Sequence, residues 1–327
     1  MIDRGYLRYL YKRVVRRVTT WLVMPIWWLG QKLPISLTRP LAGACATVVG
    51  AIARADRRRA HEHLQMALPE LGKEERDRIV REMFKGLAWS VAENLWVYGH
   101  GCLKSRRFVE NDSFEAVDTL RRVIERGRGV IIASPHFGNF ELLAIYLCSH
   151  FENGSTIAKR FSNEGLNDLV AAKRRSVGLK TFYQDSSVRH MLVQLKKGGP
   201  LGVVPDQDID SRVGIFIDFF GRPAYTPTGP ASLSQATGAA IVPSYLIRQP
   251  NGRYRVEFDA PIEPPETGDR ARDVEIMTRA WSDAFERRIR QHPEQWVWTH
   301  RRWRTTPERL QERRLRRARR AAFESSS

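Results

Sequence analysis

The spacing of apolar residues divides the chain into a helical first third and a part in which short strands and helices alternate. Residues 54–66 are highly charged with helical spacing, and Pro69 ends that pattern. From Glu74 to Trp96, apolar side chains recur every three or four residues, which predicts a long amphipathic helix. A mixed helix is expected over 106–126.

The pattern changes at Val130, where the run VIIA has the β-branched character of a buried strand. Pro135 ends this strand, and a helix is predicted from about Asn139 to Cys148. Alternation of strands and helices of this length predicts an α/β fold with a mixed central sheet flanked by helices. Further strands are predicted at 155–158, 179–183, 201–204 and 241–247, and further helices at 165–176, 187–197, 229–238 and 272–291.

Two uncharged runs near the N-terminus suggest contact with a membrane. Residues 18–31 and 40–53 each fall short of the ~20 apolar residues that a spanning helix needs. The first run contains tryptophans, which favour the membrane interface. We expect one membrane-anchoring or interface-embedded helical segment there, and a buried helix of the fold is the alternative.

The charge is concentrated at the two ends of the chain. Lys and Arg number 54 against 36 Asp and Glu, a formal net charge of +18, and residues 1–30 and 301–327 carry most of the excess. Such a balance favours a polyanionic partner. The arginine-rich run 309–320 is predicted either to be solvated or to bind anionic lipid head groups. We therefore divide the chain into a basic, membrane-anchoring region (1–55), a central folded domain (56–306) and a basic tail (307–327).

Nucleic acid and metal ions are not expected as partners. The sequence has no helix-turn-helix, zinc-finger or RNP-like aromatic pattern, and basicity alone is a weak signal. Cys45, Cys102 and Cys148 are far apart without CxxC spacing, so free thiols in a reducing compartment are predicted. Asp206 and Asp208 could suit Mg²⁺, but no third ligand is evident.

The stretch SPHFGNFE contains the strongest candidate for catalysis. His136 and Glu141 are five residues apart, about 140° on a helix, so they would not share a helical face. The pair makes chemical sense if His136 lies in the strand-to-helix turn and Glu141 in the first helical turn. Gly138 permits the turn, and Asn139 is a plausible N-cap. Glu141 could then fix the tautomer of His136 and leave its other nitrogen as a general base; an unrelated His and Glu is the alternative from spacing alone.

His-x4-Glu after a hydrophobic strand resembles the catalytic motif of the glycerolipid acyltransferase superfamily. Other stretches narrow the resemblance to one branch, the secondary (late) acyltransferases of lipid A biosynthesis, over roughly residues 20–306. These stretches are RRRAHEHLQMALPELGKEERDRIVREMF (57–84), LGVVPDQD (201–208), FFGRPAYTPTGPASLSQATGAAIVP (219–243) and HPEQWVWTHRRW (292–303).

The resemblance implies an enzyme on the cytoplasmic face of a Gram-negative inner membrane, held by anionic lipids. It would move an acyl chain from acyl carrier protein, or acyl-CoA, to a hydroxyl of a lipid A precursor, without a cofactor. The alternatives are another lipid acceptor, such as a lysophospholipid, aminolipid or glycolipid, and an inactive scaffold. In this interpretation His136 is the base, Glu141 orients it, and Cys148 is a packing residue. Further substrate-binding candidates are the backbone N–H groups at Gly138 and Asn139, and the side chains of Arg160, Arg174, Arg175, Asp206 and Asp208.

Overall fold

A six-stranded mixed sheet forms the centre of the molecule. The computed structural model describes residues 23–113, 115–185, 188–209, 213–312 and 315. Basic residues 4–17, Trp21 and most of the arginine-rich run 309–320 lie outside this part, so the predictions made for them are not addressed. The strand order is β3-β2-β4-β1-β7-β8, and only β8 runs antiparallel to its neighbour. The strands are β1 (Val130–Ala133), β2 (Ser155–Ala158), β3 (Lys180–Tyr183), β4 (Pro200–Val203), β7 (Ala240–Arg248) and β8 (Tyr254–Phe258), and a separate hairpin joins β5 (Gly214–Asp218) to β6 (Pro223–Pro227).

Helices cover both faces of this sheet. The strands and helices predicted from Val130 onward are confirmed to within two residues, because their apolar runs are buried by the sheet. The helices are α1 (residues 23–32), α2 (Ile35–Ile52), α3 (Arg54–Ala67), α4 (Lys73–His100), α5 (Asp118–Glu125), α6 (Phe140–Leu147), α7 (Glu164–Ser176), α8 (Val188–Lys196), α9 (Gly229–Thr237) and α10 (Arg270–Gln291).

The prediction of one helix over 106–126 was wrong. This stretch contains a 3-10 helix (Cys102–Phe108), a loop, a 3-10 turn (Glu115–Val117) and the short helix α5. The loop borders the outer strand β8, where the Asn111 side chain donates to the Val256 carbonyl and accepts from the Val256 N–H. Pairing with the sheet edge competes with helix formation here. Strands β5, β6 and β8 were not predicted.

Alternate residues of β1 pack into two different hydrophobic clusters. Ile131 and Ala133 face one cluster, which includes side chains of α3, α4, α9 and α10. Val130 and Ile132 face the other, which includes side chains of α5 and α6. This two-sided burial explains why β1 is a continuous apolar run rather than an alternating one.

The long apolar helix near the N-terminus is α2, which corresponds to the second uncharged run and not to the first. By length and composition α2 could cross a membrane, and only 17% of it is buried. Its exposed side chains include Leu41, Val48 and Ile52. Arg39 does not interrupt the helix, because its guanidinium is turned towards α4, where it pairs with Glu93 at 2.6 Å. The described part of the first run forms the shorter helix α1.

Glu93 is a fully buried carboxylate that joins three parts of the chain. It pairs with Arg39 of α2 and with Arg248 at the end of β7, the latter at 2.7 Å. It also accepts a hydrogen bond from the Asn139 side chain at 3.0 Å and another from the Tyr254 hydroxyl. A buried charge is tolerated only with partners of this kind. Glu93 therefore ties the N-terminal helix to the turn that carries His136.

We expect Glu93→Gln to lower the free energy of unfolding by about 3–5 kcal/mol, because it leaves two buried guanidinium groups without a counter-charge. Glu82→Gln is the matched control on the same helix. Glu82 pairs with Lys85 at the surface, and exposed pairs contribute about 0–1 kcal/mol. Denaturant unfolding of both variants in the same detergent tests the difference. Equal losses would show that the Glu93 network does not stabilise the fold.

Candidate active site

Parallel pairing of β1 with β4 brings His136 and Asp206 together. Ala133 and Val203 are register partners at the carboxyl ends of these strands, and each candidate residue follows its strand by three positions. Asp206 Oδ1 lies 2.6 Å from Nδ1 of His136, and Oδ2 accepts the backbone N–H of His136 at 2.8 Å. The indole N–H of Trp296 also donates to Oδ2 at 2.8 Å. The carboxylate thus fixes both the backbone and the ring of His136.

The electrostatics of Asp206 favour its ionised form. Burial by itself raises the pKa of this carboxyl, but the neighbouring His136 and the hydrogen bonds from His136 and Trp296 outweigh burial and bring the pKa well below its usual range. An ionised Asp206 accepts a proton-bearing Nδ1 of His136. Nε2 of His136 then carries the lone pair, which is the tautomer that a general base needs.

Glu141 does not have the partner that the sequence analysis expected. Its carboxylate accepts two hydrogen bonds from the Arg174 guanidinium, both at 2.7 Å, and one from the Tyr98 hydroxyl. Burial alone raises the pKa of Glu141, but Arg174 outweighs burial and lowers it. The acid that touches His136 is Asp206, because β4 presents its following turn directly to the turn after β1. The assignment of Glu141 as the orienting acid is therefore corrected.

Gly138 and Asn139 shape the turn that carries His136. The Gly138 N–H donates to the Gln295 carbonyl at 2.8 Å. Gly138 has φ +56°, and a Cβ there would lie 2.1 Å from the Leu246 carbonyl oxygen, so only glycine fits. Asn139 is the N-cap of α6 as predicted, with its side-chain oxygen accepting the Leu142 N–H. Neither residue is among those that line the cavity described below.

The other predicted binding residues are scattered. Arg160 is exposed, pairs with Asp185 at 3.0 Å, and lies over the Tyr183 ring. Arg175 is exposed, whereas Arg174 lines the cavity. Asp208 is buried and accepts the N–H and hydroxyl of Thr305. Within the described ranges, no group of three or more His, Cys, Asp or Glu side chains could hold a metal ion.

A cavity of about 980 Å³ opens beside His136. Along α6 its lining residues recur with helical spacing, and along β1 and β4 it extends from the carboxyl ends of the strands to the start of β4 at Pro200. Most of its wall is apolar, and the polar side chains of Gln207 and His300 lie beside His136. A deep apolar cavity with a few polar groups at one end suits a long apolar substrate with one reactive end. The residues that α6 and its continuation contribute are Phe140, Glu141, Leu143, Ala144, Leu147, Cys148 and Phe151.

Cys148 lies in this cavity wall, as a packing residue. Burial raises the pKa of its thiol to about 12, so the thiol is protonated near neutral pH. Because the thiolate is the nucleophilic form of cysteine, Cys148 is unsuited to covalent catalysis.

Sequence reasoning missed three side chains of the site. Gln207 and His300 both line the cavity beside His136, and the imidazole rings of His136 and His300 are 4.5 Å apart. Tyr98, on α4, shares Glu141 with Arg174. Gln207 and His300 belong to the stretches 201–208 and 292–303 that carried the resemblance. Nothing in the sequence marked them as site residues among the other residues of these stretches.

The C-terminal stretch 292–303 is the structural support of the catalytic turn. Its backbone pairs with the turn, since the Val297 N–H donates to the His136 carbonyl at 3.1 Å. Arg302, unassigned from the sequence, is fully buried and donates to the Tyr225 carbonyl and the Thr226 hydroxyl in β6. Burial lowers the pKa of Arg302 to about 10. Arg302 therefore acts in folding rather than at the membrane.

The chain is similar in sequence to several known acyltransferases. It is 27% identical over 293 residues to a lipid A biosynthesis lauroyltransferase of Escherichia coli (strain K12). The aligned region covers 88% of this chain and 92% of the lauroyltransferase. A lipid A biosynthesis palmitoleoyltransferase of the same strain is equally similar, with the same coverage. A phosphatidylinositol mannoside acyltransferase of Mycolicibacterium smegmatis is 27% identical over 69% of this chain and 73% of its own.

The family comparison covers almost the whole described fold. A family model described as "Bacterial lipid A biosynthesis acyltransferase" matches residues 10–305. That span contains the sheet, the His136–Asp206 pair, the cavity and the supporting stretch 292–303. The chain belongs to the bacterial lipid A biosynthesis acyltransferase family and is an enzyme of the acyltransferase type.

Proposed function

We propose that this enzyme transfers a fatty acyl chain from the thioester of acyl carrier protein, or of acyl-CoA, to a hydroxyl group of a lipid A precursor. The observation that carries the proposal is the position of the His136–Asp206 pair at the polar end of a deep, apolar cavity. The cavity suits the acyl chain, and the pair suits activation of a hydroxyl beside it.

In the proposed reaction the acceptor hydroxyl is the nucleophile. Nε2 of His136 takes the hydroxyl proton while the oxygen attacks the thioester carbonyl and a tetrahedral oxyanion forms. Asp206 stabilises the resulting imidazolium. Collapse of the intermediate breaks the carbon–sulfur bond, and the imidazolium gives its proton to the leaving thiolate. The products are an ester and a free thiol, and no acyl-enzyme is required.

Glu141 and Arg174 are proposed to shape the cavity rather than to exchange protons. Their two parallel hydrogen bonds occupy the Nε–Nη2 edge of the guanidinium, through which Arg174 could otherwise bind a phosphate. Recognition of acceptor phosphate is better assigned to other cationic side chains of the cavity lining, namely Lys159, Arg301 and Arg304.

Membrane attachment is proposed through the exposed face of α2. Its apolar side chains point away from the protein, and the acceptor is itself a lipid. The basic residues at both ends of the chain would favour an anionic surface such as the cytoplasmic face of the inner membrane. A glycolipid other than lipid A is the second candidate acceptor, because one similar protein is a phosphatidylinositol mannoside acyltransferase.

The function is tested by mass spectrometry of total lipids and lipid A from cells with and without the gene. We expect one acyl chain to be missing from lipid A in the deletion strain and restored by the wild-type gene. An unchanged lipid A with one altered glycolipid would select the second acceptor.

His136→Ala should reduce initial acyl transfer below detection, because it removes the base. Asp206→Asn should lower kcat by roughly 10²–10⁴, since it removes the charge that orients the ring and stabilises the imidazolium. Glu141→Gln should reduce the rate less than Asp206→Asn, and Cys148→Ala should stay active. Initial rates with radiolabelled acyl carrier protein test the series. Near wild-type rates for His136→Ala, or an acyl adduct on Cys148, would refute the mechanism.

Ala144→Phe should shift donor preference towards shorter acyl chains, because position 144 lines the middle of the cavity along α6. Each methylene that no longer fits should lower kcat/KM roughly fourfold, from about 0.8 kcal/mol per buried CH₂. Ser149→Leu, which adds bulk at a half-buried position outside the cavity lining, is the control. The measurement is kcat/KM over a series of donors, and an unchanged preference would place the acyl chain elsewhere.

Substituting both Leu41 and Val48 by Asp should release the protein from membranes. These exposed side chains lie on the same face of α2, and a charge at the centre of a membrane-embedded helix costs about 2.5–3.5 kcal/mol. Gln65→Asp, at an exposed position of α3, controls for the added charge. Sedimentation of lysates at low and high salt measures the effect. Release of the control to the same extent would argue against attachment through α2.

A further inference from the structure

One role in the proposed reaction has no occupant among the residues that the sequence predicted. The tetrahedral intermediate needs a hydrogen-bond donor for its oxyanion. The Gly138 N–H donates to the Gln295 carbonyl, and Asn139 is buried and absent from the residues that line the cavity. The donor must therefore come from another part of the cavity.

The side-chain amide of Gln207 lies beside the reacting nitrogen of His136. Its Nε2 is 2.9 and 3.5 Å from Nε2 and Nδ1 of His136, and 3.0 and 3.1 Å from Nε2 and Nδ1 of His300, so it packs against the faces of both rings. Nε2 of His136 carries a lone pair, because its Nδ1 proton is held by Asp206. The amide group must therefore present an N–H, and not its oxygen, to His136.

The ring of His300 packs against the other side of the same amide. Burial, followed by the nearby His136, lowers the pKa of His300 to about 4, so the ring is neutral near pH 7 and does not repel the amide N–H groups. The amide is thus suspended between two imidazole rings.

The backbone of Gln207 is fixed on both sides. Asp206 is held by His136 and Trp296, and Asp208 is held by Thr305. Both aspartates are buried, whereas Gln207 is half-buried and lines the cavity. A donor on so constrained a backbone needs little rearrangement during the reaction, which is the property that makes oxyanion stabilisation effective.

We propose that Gln207 donates the oxyanion hydrogen bond and that His300 is the positioning residue that aims its amide. The acceptor hydroxyl binds to Nε2 of His136 in the plane of the ring, whereas the Gln207 amide stays over the ring face. Its N–H stays close to the reacting atoms, because His300 packs against the other side of the amide. It then meets the carbonyl oxygen as the acceptor oxygen–carbon bond forms and the carbonyl π pair moves onto that oxygen.

This inference rests on the proposed function, and kinetics of two variants test it. Gln207→Met removes both N–H groups and keeps a side chain of similar length. Gln207→Glu removes them and keeps a side chain of the same shape. Each should lower kcat by roughly 10²–10³, the usual loss for one oxyanion donor, with KM for donor and acceptor changed less than about threefold. Gln249→Met makes the same exchange in the β7–β8 turn, outside the cavity lining, and should leave kcat unchanged.

The role of His300 is separated from a merely structural one by a double-mutant cycle. His300→Phe keeps a ring but loses the two ring nitrogens that contact the Gln207 amide. As a single substitution it should lower kcat about tenfold. In the Gln207→Met background it should cause no further loss, because there is no amide left to aim. Thermal unfolding midpoints of all variants should match the wild type.

The outcomes distinguish the proposal from its competitors. A lower acceptor KM with unchanged or higher kcat in Gln207→Met would mean that Gln207 only blocks the hydroxyl site. Additive losses from Gln207→Met and His300→Phe would mean that the two act separately. Either result overturns the inference while the proposed function stands. No transfer by the wild-type enzyme to any lipid hydroxyl would overturn both.

Discussion

The carboxylate of Asp206 is the point on which the arrangement of the site depends. It accepts hydrogen bonds from the backbone and ring of His136 and from the Trp296 indole, so it joins the turns after β1 and β4 to the C-terminal stretch. A fully buried carboxylate is stable only when all its partners are present. Asp206 is therefore ionised, and His136 is held in the required tautomer, only when all three distant segments are in place. The site is assembled when, and only when, the fold is complete.

A second buried carboxylate links the site to the N-terminal helix. Glu93 holds Arg39 of α2 and Arg248 of β7, and through Asn139 it reaches the cap of α6. The face of α2 that turns towards α4 carries Arg39 and small residues such as Gly43 and Gly50, whereas its opposite face is apolar and exposed. This division lets one helix serve both the protein and a lipid surface. Two contacts, Arg39–Glu93 and Glu93–Asn139, therefore separate the proposed membrane contact from the turn that carries His136.

The cavity follows from the same topology. In a parallel sheet the carboxyl ends of β1, β2 and β4 meet at one edge, which gathers His136, Asp206 and Lys159 there. The helix α6 starts at that edge and runs back along the sheet, so its lining side chains extend the cavity away from the polar groups. Reactive chemistry at one end and apolar length behind it are thus two consequences of one strand–turn–helix unit.

Apolar periodicity in the sequence was sufficient to predict the strands and helices from Val130 onward, because these elements are buried by their neighbours and their patterns are strong. Local rules also predicted the strand-to-helix turn at His136 and the N-cap at Asn139, and both are confirmed, whereas the role of His136 as the base came from the family resemblance and stays a prediction. The sequence could not decide which carboxylate touches His136, since Glu141 is near in the chain whereas Asp206 is near only through the pairing of β1 with β4. Nor could it reveal that Arg39 is turned inward to Glu93, or that Gly138 is closed to substrate by Gln295. Local propensities depend on neighbours in sequence, but hydrogen-bond partners and burial, including the different exposure of Arg174 and Arg175, depend on neighbours in space, and only the tertiary structure brings those together.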